Sequence, residues 1–224
     1  MGNIVAVQKR IAGACERVGR SPEEVKLVAV TKTVPSALVE AAAKCGITDF
    51  GENRVQEGRA KAAQLPGIGR WHLIGSLQTN KVRQALASFD CIHSVDRPRL
   101  VEAIARHYSP QKPCKLFMQV NVSGEETKHG VSVEKAPELA RQISAAGLPL
   151  TGLMTLAPFC DDPEDTRPVF RELRVLAQQL QDLDLPGVNL KHLSMGMSND
   201  FEVAIEEGAS MVRVGSAIFG PRSY

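Results

Sequence analysis

The period of the apolar positions changes repeatedly along the chain. Ile4, Val7, Ile11, Ala14 and Val18 recur every three or four residues, which predicts an amphipathic opening helix ending near Gly19. Ser21-Pro22-Glu23-Glu24 reads as a capped turn, and Leu27-Val28-Ala29-Val30 follows as four consecutive apolar residues. Such a run fits a strand buried on both faces, as in a parallel sheet. It ends at Thr31-Lys32 before Thr33-Val34-Pro35 breaks it. The alternation then continues. Helical stretches are expected at Ser36 to Lys44 (with Ala37, Leu38, Ala41 and Ala42 on one side), Glu52 to Gln64, Thr79 to Ala87, and from Asp96 with Pro98 in the first turn. Further helices are expected at Val133 to Ala146, Pro163 to Leu183 and Asn199 to Glu206, where Ser198 or Asn199 stands at the N-cap. Between them lie strand patterns at Thr48 to Gly51, Trp71 to Ile74, Cys91 to His93, Lys115 to Asn121, Leu150 to Met154, His192 to Ser194 and Met211 to Val214.

Strand and helix therefore alternate through eight units with no hairpin signal between strands. That pattern implies a parallel sheet with crossover helices. Eight units in about 200 residues fit a single closed (β/α)8 barrel of TIM type, preceded by an extra N-terminal helix. A doubly wound open sheet is the competing topology. No linker, low-complexity segment or internal repeat divides residues 1–224, so one domain is expected.

Composition narrows the function classes. A hydrophobic content of 43% with 23% charged residues describes a soluble globular protein. The net charge is only +2, and no basic cluster with interleaved aromatics occurs, which argues against nucleic acid as a partner. The five cysteines are scattered and never spaced Cys-x-x-Cys, so neither a disulfide framework nor a zinc site is expected. The histidines are dispersed as well, with no paired spacing for a metal. No membrane span or signal-peptide pattern is present, and a cytoplasmic protein without membrane partners is expected.

Three stretches carry the candidate chemistry. Lys32 sits at the carboxyl end of a buried parallel strand, where α/β folds place their reactive groups; taken alone it also fits a solvated strand-end charge. Leu193-Ser194-Met195-Gly196-Met197-Ser198-Asn199-Asp200 is a strand, a small-residue turn and a helix start, which exposes amides to an anion or simply caps the helix. Val212-Arg213-Val214-Gly215-Ser216 repeats the arrangement after the eighth strand. Loops after strands seven and eight of such barrels commonly build a phosphate site together. Arg213 interrupts an apolar strand and so requires a fixed acceptor, a carboxylate or a ligand atom. Glu52 next to Asn53 reads either as a catalytic acid or as a first-turn helix carboxylate. The segment Gly124 to Gly130 reads as a polar loop at the site mouth carrying Lys128.

Several of these segments, with Phe-Gly-Glu-Asn-Arg-Val-Gln-Glu, Trp-His-Leu-Ile-Gly-Ser-Leu-Gln-Thr-Asn-Lys and Gly-Leu-Met-Thr, resemble the pyridoxal phosphate homeostasis protein family. This is the YggS/PROSC-type group, related to the N-terminal domain of alanine racemase. The resemblance runs in order from about Leu27 to the C-terminus. It implies a fold-type III barrel in which Lys32 holds pyridoxal 5′-phosphate as an aldimine. It further implies that Ser198, Gly215 and Ser216 bind the phosphate, that Arg213 faces the pyridine nitrogen, and that Asn53, Gly196 and His72 line the pocket. Thr31 departs from the serine that many relatives show before the lysine.

The function implied is a monomeric carrier that buffers pyridoxal phosphate and passes it to apo-enzymes, with free amino acids as further ligands. Two enzymes compete with it. A racemase needs a second acid/base on the opposite ring face, and only Tyr108 and Tyr224 offer a tyrosine. An aldolase using Lys32 explains the lysine and the anion cradle but not Arg213.

Overall fold

The computed structural model of the chain describes residues 2–125 and 128–220. Its strands are β1 (Lys26–Val30), β2 (Asp49–Glu52), β3 (Arg70–Leu73), β4 (Cys91–Val95), β5 (Lys115–Asn121), β6 (Val131–Ser132), β7 (Leu150–Met154), β8 (Val188–Ser194) and β9 (Met211–Val214). The helices are α1 (Gly2–Arg17), α2 (Ser36–Lys44), α3 (Val55–Gln64), α4 (Val82–Ser88), α5 (Pro98–Ala105), α6 (Ala136–Ala145), α7 (Arg167–Gln181), α8 (Phe201–Glu206) and α9 (Ser216–Phe219). All pairings among these strands are parallel. Eight strands close in the order β1-β2-β3-β4-β5-β7-β8-β9, because β4 pairs with β5 and β9 returns to β1. An open sheet would leave two unpaired edges, so this closure excludes the doubly wound alternative. β6 stands apart as a two-residue strand on the far end of β5, between the loop expected at Gly124 to Gly130 and the helix expected from Val133.

Local chemistry sets most boundaries. α1 buries Ile4, Val7, Ile11, Ala14 and Cys15. Val18, expected on that face, lies past the last turn and is 41% exposed. Gly19 ends the helix at φ 66°, a conformation costly for other residues. Ser21 and Glu24 form a reciprocal capping box around the 3-10 turn at Pro22–Glu24. α2 has the expected bounds but a different face. It buries Val39 and Ala42, while Leu38 is 50% exposed. Alanines on every side of this helix leave its composition unable to select one face. The helices expected at Thr79, Val133 and Pro163 each open with a 3-10 turn before α4, α6 and α7. β8 starts at Val188, earlier than expected, because exposed Asn189 and Lys191 interrupt the apolar signal.

The core has two parts. The larger lies between the barrel and its helices. The smaller joins Cys91, Phe117, Met154 and Met211 at strand positions, with Leu156 packed against it. Strand side chains alternate, so His93, Gln119 and Arg213, two residues beyond Cys91, Phe117 and Met211, share their face. Gly152 is required here, since a Cβ would lie 2.6 Å from the Phe117 ring. Asp49, His72, His93, Gln119, Ser194 and Arg213 are each no more than 3% exposed. TIM-type interiors are dominated by branched apolar residues, so so many buried polar groups each need a partner.

β8 and β9 share one register pair, Ser194 with Met211. Beyond it, the Arg213 amide donates to the Gly196 carbonyl at 3.0 Å. The two loops expected to build an anion site leave from this seam.

Candidate functional site

Parallel closure gathers the loops after the strands on one face of the barrel. A cavity of about 610 Å³ opens on that face. Its wall includes Lys32 after β1, Asn53 after β2, Gln119 on β5, Ser198 after β8, Arg213 on β9, and Gly215 and Ser216. Lys128, His129, Phe159 and Met197 also line it. A smaller hollow of about 160 Å³ shares Val30, Lys32, Gly215 and Ser216 with it. Six of the residues expected in a cofactor site thus share one cavity: Lys32, Asn53, Ser198, Arg213, Gly215 and Ser216.

Lys32 is positioned through its neighbours. Thr31 is fully buried and donates its amide to Gly51 O at 2.9 Å and its hydroxyl to Glu52 Oε1 at 2.6 Å. Lys61, from α3, donates its ammonium to the same Glu52 oxygen at 2.7 Å and to the Thr31 carbonyl. On the other side, Thr33 adopts φ 63° and donates its hydroxyl to the Lys32 carbonyl at 2.6 Å. A β-branched residue in that region costs about 1–3 kcal/mol, and such strain collects at functional sites. The backbone of Lys32 is therefore fixed from both directions.

These bonds correct the reading of Glu52. It ends β2 with no exposed surface, sealed behind Thr31, and α3 begins only at Val55. It is neither a helix first-turn carboxylate nor a wall of the cavity. Its second oxygen, Oε2, has no hydrogen-bond partner. Lys61 was not legible as part of the site, because its role depends on α3 folding back over the ends of β1 and β2.

Arg213 finds the acceptors it requires within the chain. Nη1 donates to Ser194 Oγ at 2.7 Å and Nη2 to Thr155 O at 2.8 Å. Burial pushes its pKa down to about 10 against the opposing Asp200 charge, so it remains a cation at neutral pH. Asp200 is itself the N-cap of α8, displacing the cap expected at Ser198 or Asn199. Its carboxylate turns back to accept the Met197 amide at 2.6 Å, and burial raises its pKa. Asn199 donates instead to Cys160 O at 3.0 Å. Ser198 reaches across to the other loop, where its hydroxyl oxygen accepts the Gly215 and Ala217 amides, both at 3.3 Å. Two backbone donors of the loop after β9 thus converge on an oxygen atom in the cavity wall.

Two expected residues fall outside the wall. Gly196 adopts φ 89°, and a Cβ there would lie 2.6 Å from the Ala204 Cβ, so it serves the close approach of α8. His72 is almost fully buried inside the barrel. Its Nε2 lies 2.9 Å from Asp49 Oδ1 and its Nδ1 lies 3.0 Å from His93 Nε2. Histidines that look dispersed in sequence become neighbours because β3 and β4 run side by side. The donor atoms of His72, Cys91 and His93 lie within 4.8 Å of one another, the one such group found among the described residues. The two imidazoles are already bonded to each other, and burial pushes the Cys91 thiol up to about 12. Cys114 is raised by burial too, which agrees with a packing role for both cysteines.

At the mouth, Lys128 pairs with Glu125 at 2.9 Å, and Gln119 donates to His129 O at 3.0 Å. Tyr108 follows α5 on the side leading into the start of β5, away from the cavity, and packs against the larger core. Tyr224 lies outside the described residues.

Known proteins carry the same arrangement of chain. The family described as alanine racemase, N-terminal domain, matches residues 3–223. A protein named pyridoxal phosphate homeostasis protein from Aquifex aeolicus is 45% identical over 221 residues, covering 97% of this chain and 96% of its own. A protein of the same name from Pseudomonas aeruginosa is 43% identical over 229 residues, covering 99% of this chain and 95% of its own. Among solved structures, PipY of Synechococcus elongatus with pyridoxal phosphate bound superimposes with a TM-score of 0.80 at 36% identity. It covers 94% of this chain and 100% of its own.

Proposed function

This chain belongs to the alanine racemase N-terminal domain family and, within it, to the pyridoxal phosphate homeostasis proteins, and from that premise we propose that it binds pyridoxal 5′-phosphate covalently on Lys32 and carries it without catalytic turnover. One observation supports this above all: a single cavity joins a fixed lysine, a buried arginine and convergent backbone amides. When bound, the cofactor supplies an aldehyde that condenses with a primary amine. Lys32 offers that amine from a backbone held by Thr31 and Thr33. The Ser198 hydroxyl oxygen accepts the Gly215 and Ala217 amides, which gathers both amides and the hydroxyl at one place beside the cavity, a donor set that suits a phosphate oxygen. Ser216 adds a hydroxyl beside them. Arg213 would stand toward the pyridine nitrogen of the bound cofactor, and a guanidinium that donates and never accepts would disfavour a proton there and weaken the ring as an electron sink.

The carrier works inside the cell as a single-domain monomer, delivering the cofactor to apo-enzymes and admitting free amino acids. Borohydride treatment of the loaded protein, followed by peptide mapping, should place the phosphopyridoxyl group on Lys32. Label found chiefly on Lys128 would remove the centre of this assignment. Lys32→Ala should lose the visible absorption band and keep its fold.

Racemisation requires proton transfer on both faces of Cα. Tyr108 follows α5 on the side away from the cavity and packs against the larger core. L- and D-alanine incubated with stoichiometric loaded protein in deuterated water should therefore keep their configuration. Sustained multiple-turnover inversion that disappears in Lys32→Ala would establish an enzyme instead.

A further inference from the structure

The polar groups inside the barrel form one continuous chain of hydrogen bonds. It starts at Asp49, which with Arg70 borders a separate hollow of about 300 Å³ among the strand starts. Asp49 Oδ1 lies 2.9 Å from His72 Nε2, and His72 Nδ1 lies 3.0 Å from His93 Nε2. His93 Nδ1 lies 2.9 Å from Ser194 Oγ, which accepts Arg213 Nη1 at 2.7 Å. Arg213 alone of these five lines the large cavity.

The two ends fix the direction of the two outer bonds. A guanidinium only donates, so Ser194 Oγ accepts from Arg213. An ionised carboxylate only accepts, so His72 must carry its proton on Nε2. Burial raises the pKa of Asp49, but bonds from His72 and Arg70 outweigh it and hold the carboxyl well below its usual range. Burial, with His72, Arg213 and His192 nearby, lowers the His93 pKa well below that of a free imidazole. Neutral His93 offers one donor and one acceptor, and in the sense that continues from the guanidinium its Nε2–H donates to His72 Nδ1 while its Nδ1 accepts the Ser194 hydroxyl proton. Arg213, Ser194, His93, His72 and Asp49 then donate each to the next in a single sense. No donor or acceptor in the chain is wasted.

We propose that Asp49, His72, His93 and Ser194 are positioning residues for Arg213, a one-directional relay that holds its guanidinium in the cavity from the opposite end of the barrel. Ser194 holds the guanidinium directly, beside the Thr155 carbonyl, and the histidines act through Ser194. His93 is oriented from the side as well, stacking on Phe117 at 4.3 Å between centroids with the planes 6° apart. An apolar filling would pack the same volume, which leaves the polar chain without a purpose unless Arg213 needs a fixed orientation.

The tautomers and the effect on binding are separable readouts, the second resting on the cofactor assignment above. In protein labelled with ¹⁵N-histidine, long-range ¹H–¹⁵N correlation spectra should show the proton of both His72 and His93 on Nε2, with Nδ1 as the acceptor. Either ring carrying its proton on Nδ1 overturns the relay. Ser194→Ala, which deletes one oxygen outside the cavity, should weaken pyridoxal phosphate binding about tenfold and shift the visible absorption. Ser194→Thr restores the hydroxyl and should recover most of both. His93→Phe keeps the stacking shape without the nitrogens, and should weaken binding similarly. Folded Ser194→Ala and His93→Phe proteins with unchanged affinity and spectrum overturn the positioning role. If the unaltered protein binds no pyridoxal phosphate, the cofactor assignment fails instead. The tautomers then decide alone: both on Nε2 supports the relay, and either on Nδ1 overturns it.

Discussion

Side chains in this site are held by bonds that run sideways along the barrel rim. Around Lys32, Thr31, Thr33, Glu52 and Lys61 form the bonds that fix its backbone. Ser198 shows the same principle, since its hydroxyl bonds the loop after β9 rather than the helix that follows it in sequence. Ser198→Ala combined with Ser216→Ala should therefore weaken pyridoxal phosphate binding far more than pyridoxal binding. Charge-assisted hydrogen bonds contribute about 1.5–3 kcal/mol, or roughly tenfold and more per donor. Equilibrium titration with both ligands reads the difference. Equal losses would show that the anion cradle lies elsewhere.

The elements around the barrel are tied by charge where their apolar faces end. Arg17 of α1 and Arg167 of α7 both reach Glu206 at 2.6 Å, the last residue of α8. Glu207 accepts Arg167, Arg171 and Arg174 at 3.0–3.2 Å. Burial raises its pKa, but the three guanidiniums more than offset this and hold the carboxyl below its usual range. Isolated surface pairs contribute little, but an almost buried carboxylate shared by three arginines is different. Glu207→Gln should lower unfolding free energy by about 1–2 kcal/mol, with cofactor affinity unchanged. Urea denaturation measures the first and titration the second. No loss of stability would mean that the network is solvated.

At the scale of the molecule, the polar barrel interior makes stability depend on pH. His93 is held neutral in the fold, as is His192, whose pKa burial, with Lys115 and Lys26, lowers to about 4. Below about pH 6.5 the unfolded chain binds protons that the folded chain refuses, so stability falls with falling pH. Asp49, with a depressed pKa, adds its own loss below about pH 4. Urea midpoints should thus be flat from about pH 8 to 7, decline from about 6.5, and steepen below about 4. His192→Gln should flatten the first decline. A midpoint that held constant from neutral pH down to about 4.5 would show that the histidines are accommodated as cations.

The sequence by itself determined the alternation of strands and helices and the strand positions to within a few residues, and its family resemblance pointed to Lys32, Asn53, Ser198, Arg213, Gly215 and Ser216, which line one cavity. Periodicity and loop chemistry are local, and the rule placing loops at the carboxyl ends of parallel strands needs only their order. The tertiary structure alone decided what depends on neighbours across strands. Closure came from β4 meeting β5, the face of α2 from packing that its alanines do not specify, and the cap of α8 from Asp200 turning back to Met197. Glu52 moved from the site into its support, and His72 moved from the pocket into the barrel. Asp49, His72, His93 and Ser194 span 146 positions between Asp49 and Ser194, and nothing in their spacing announces a chain of bonds. Their contacts exist because a closed sheet turns residues remote in sequence toward a common axis, where each buried polar group must find its partner.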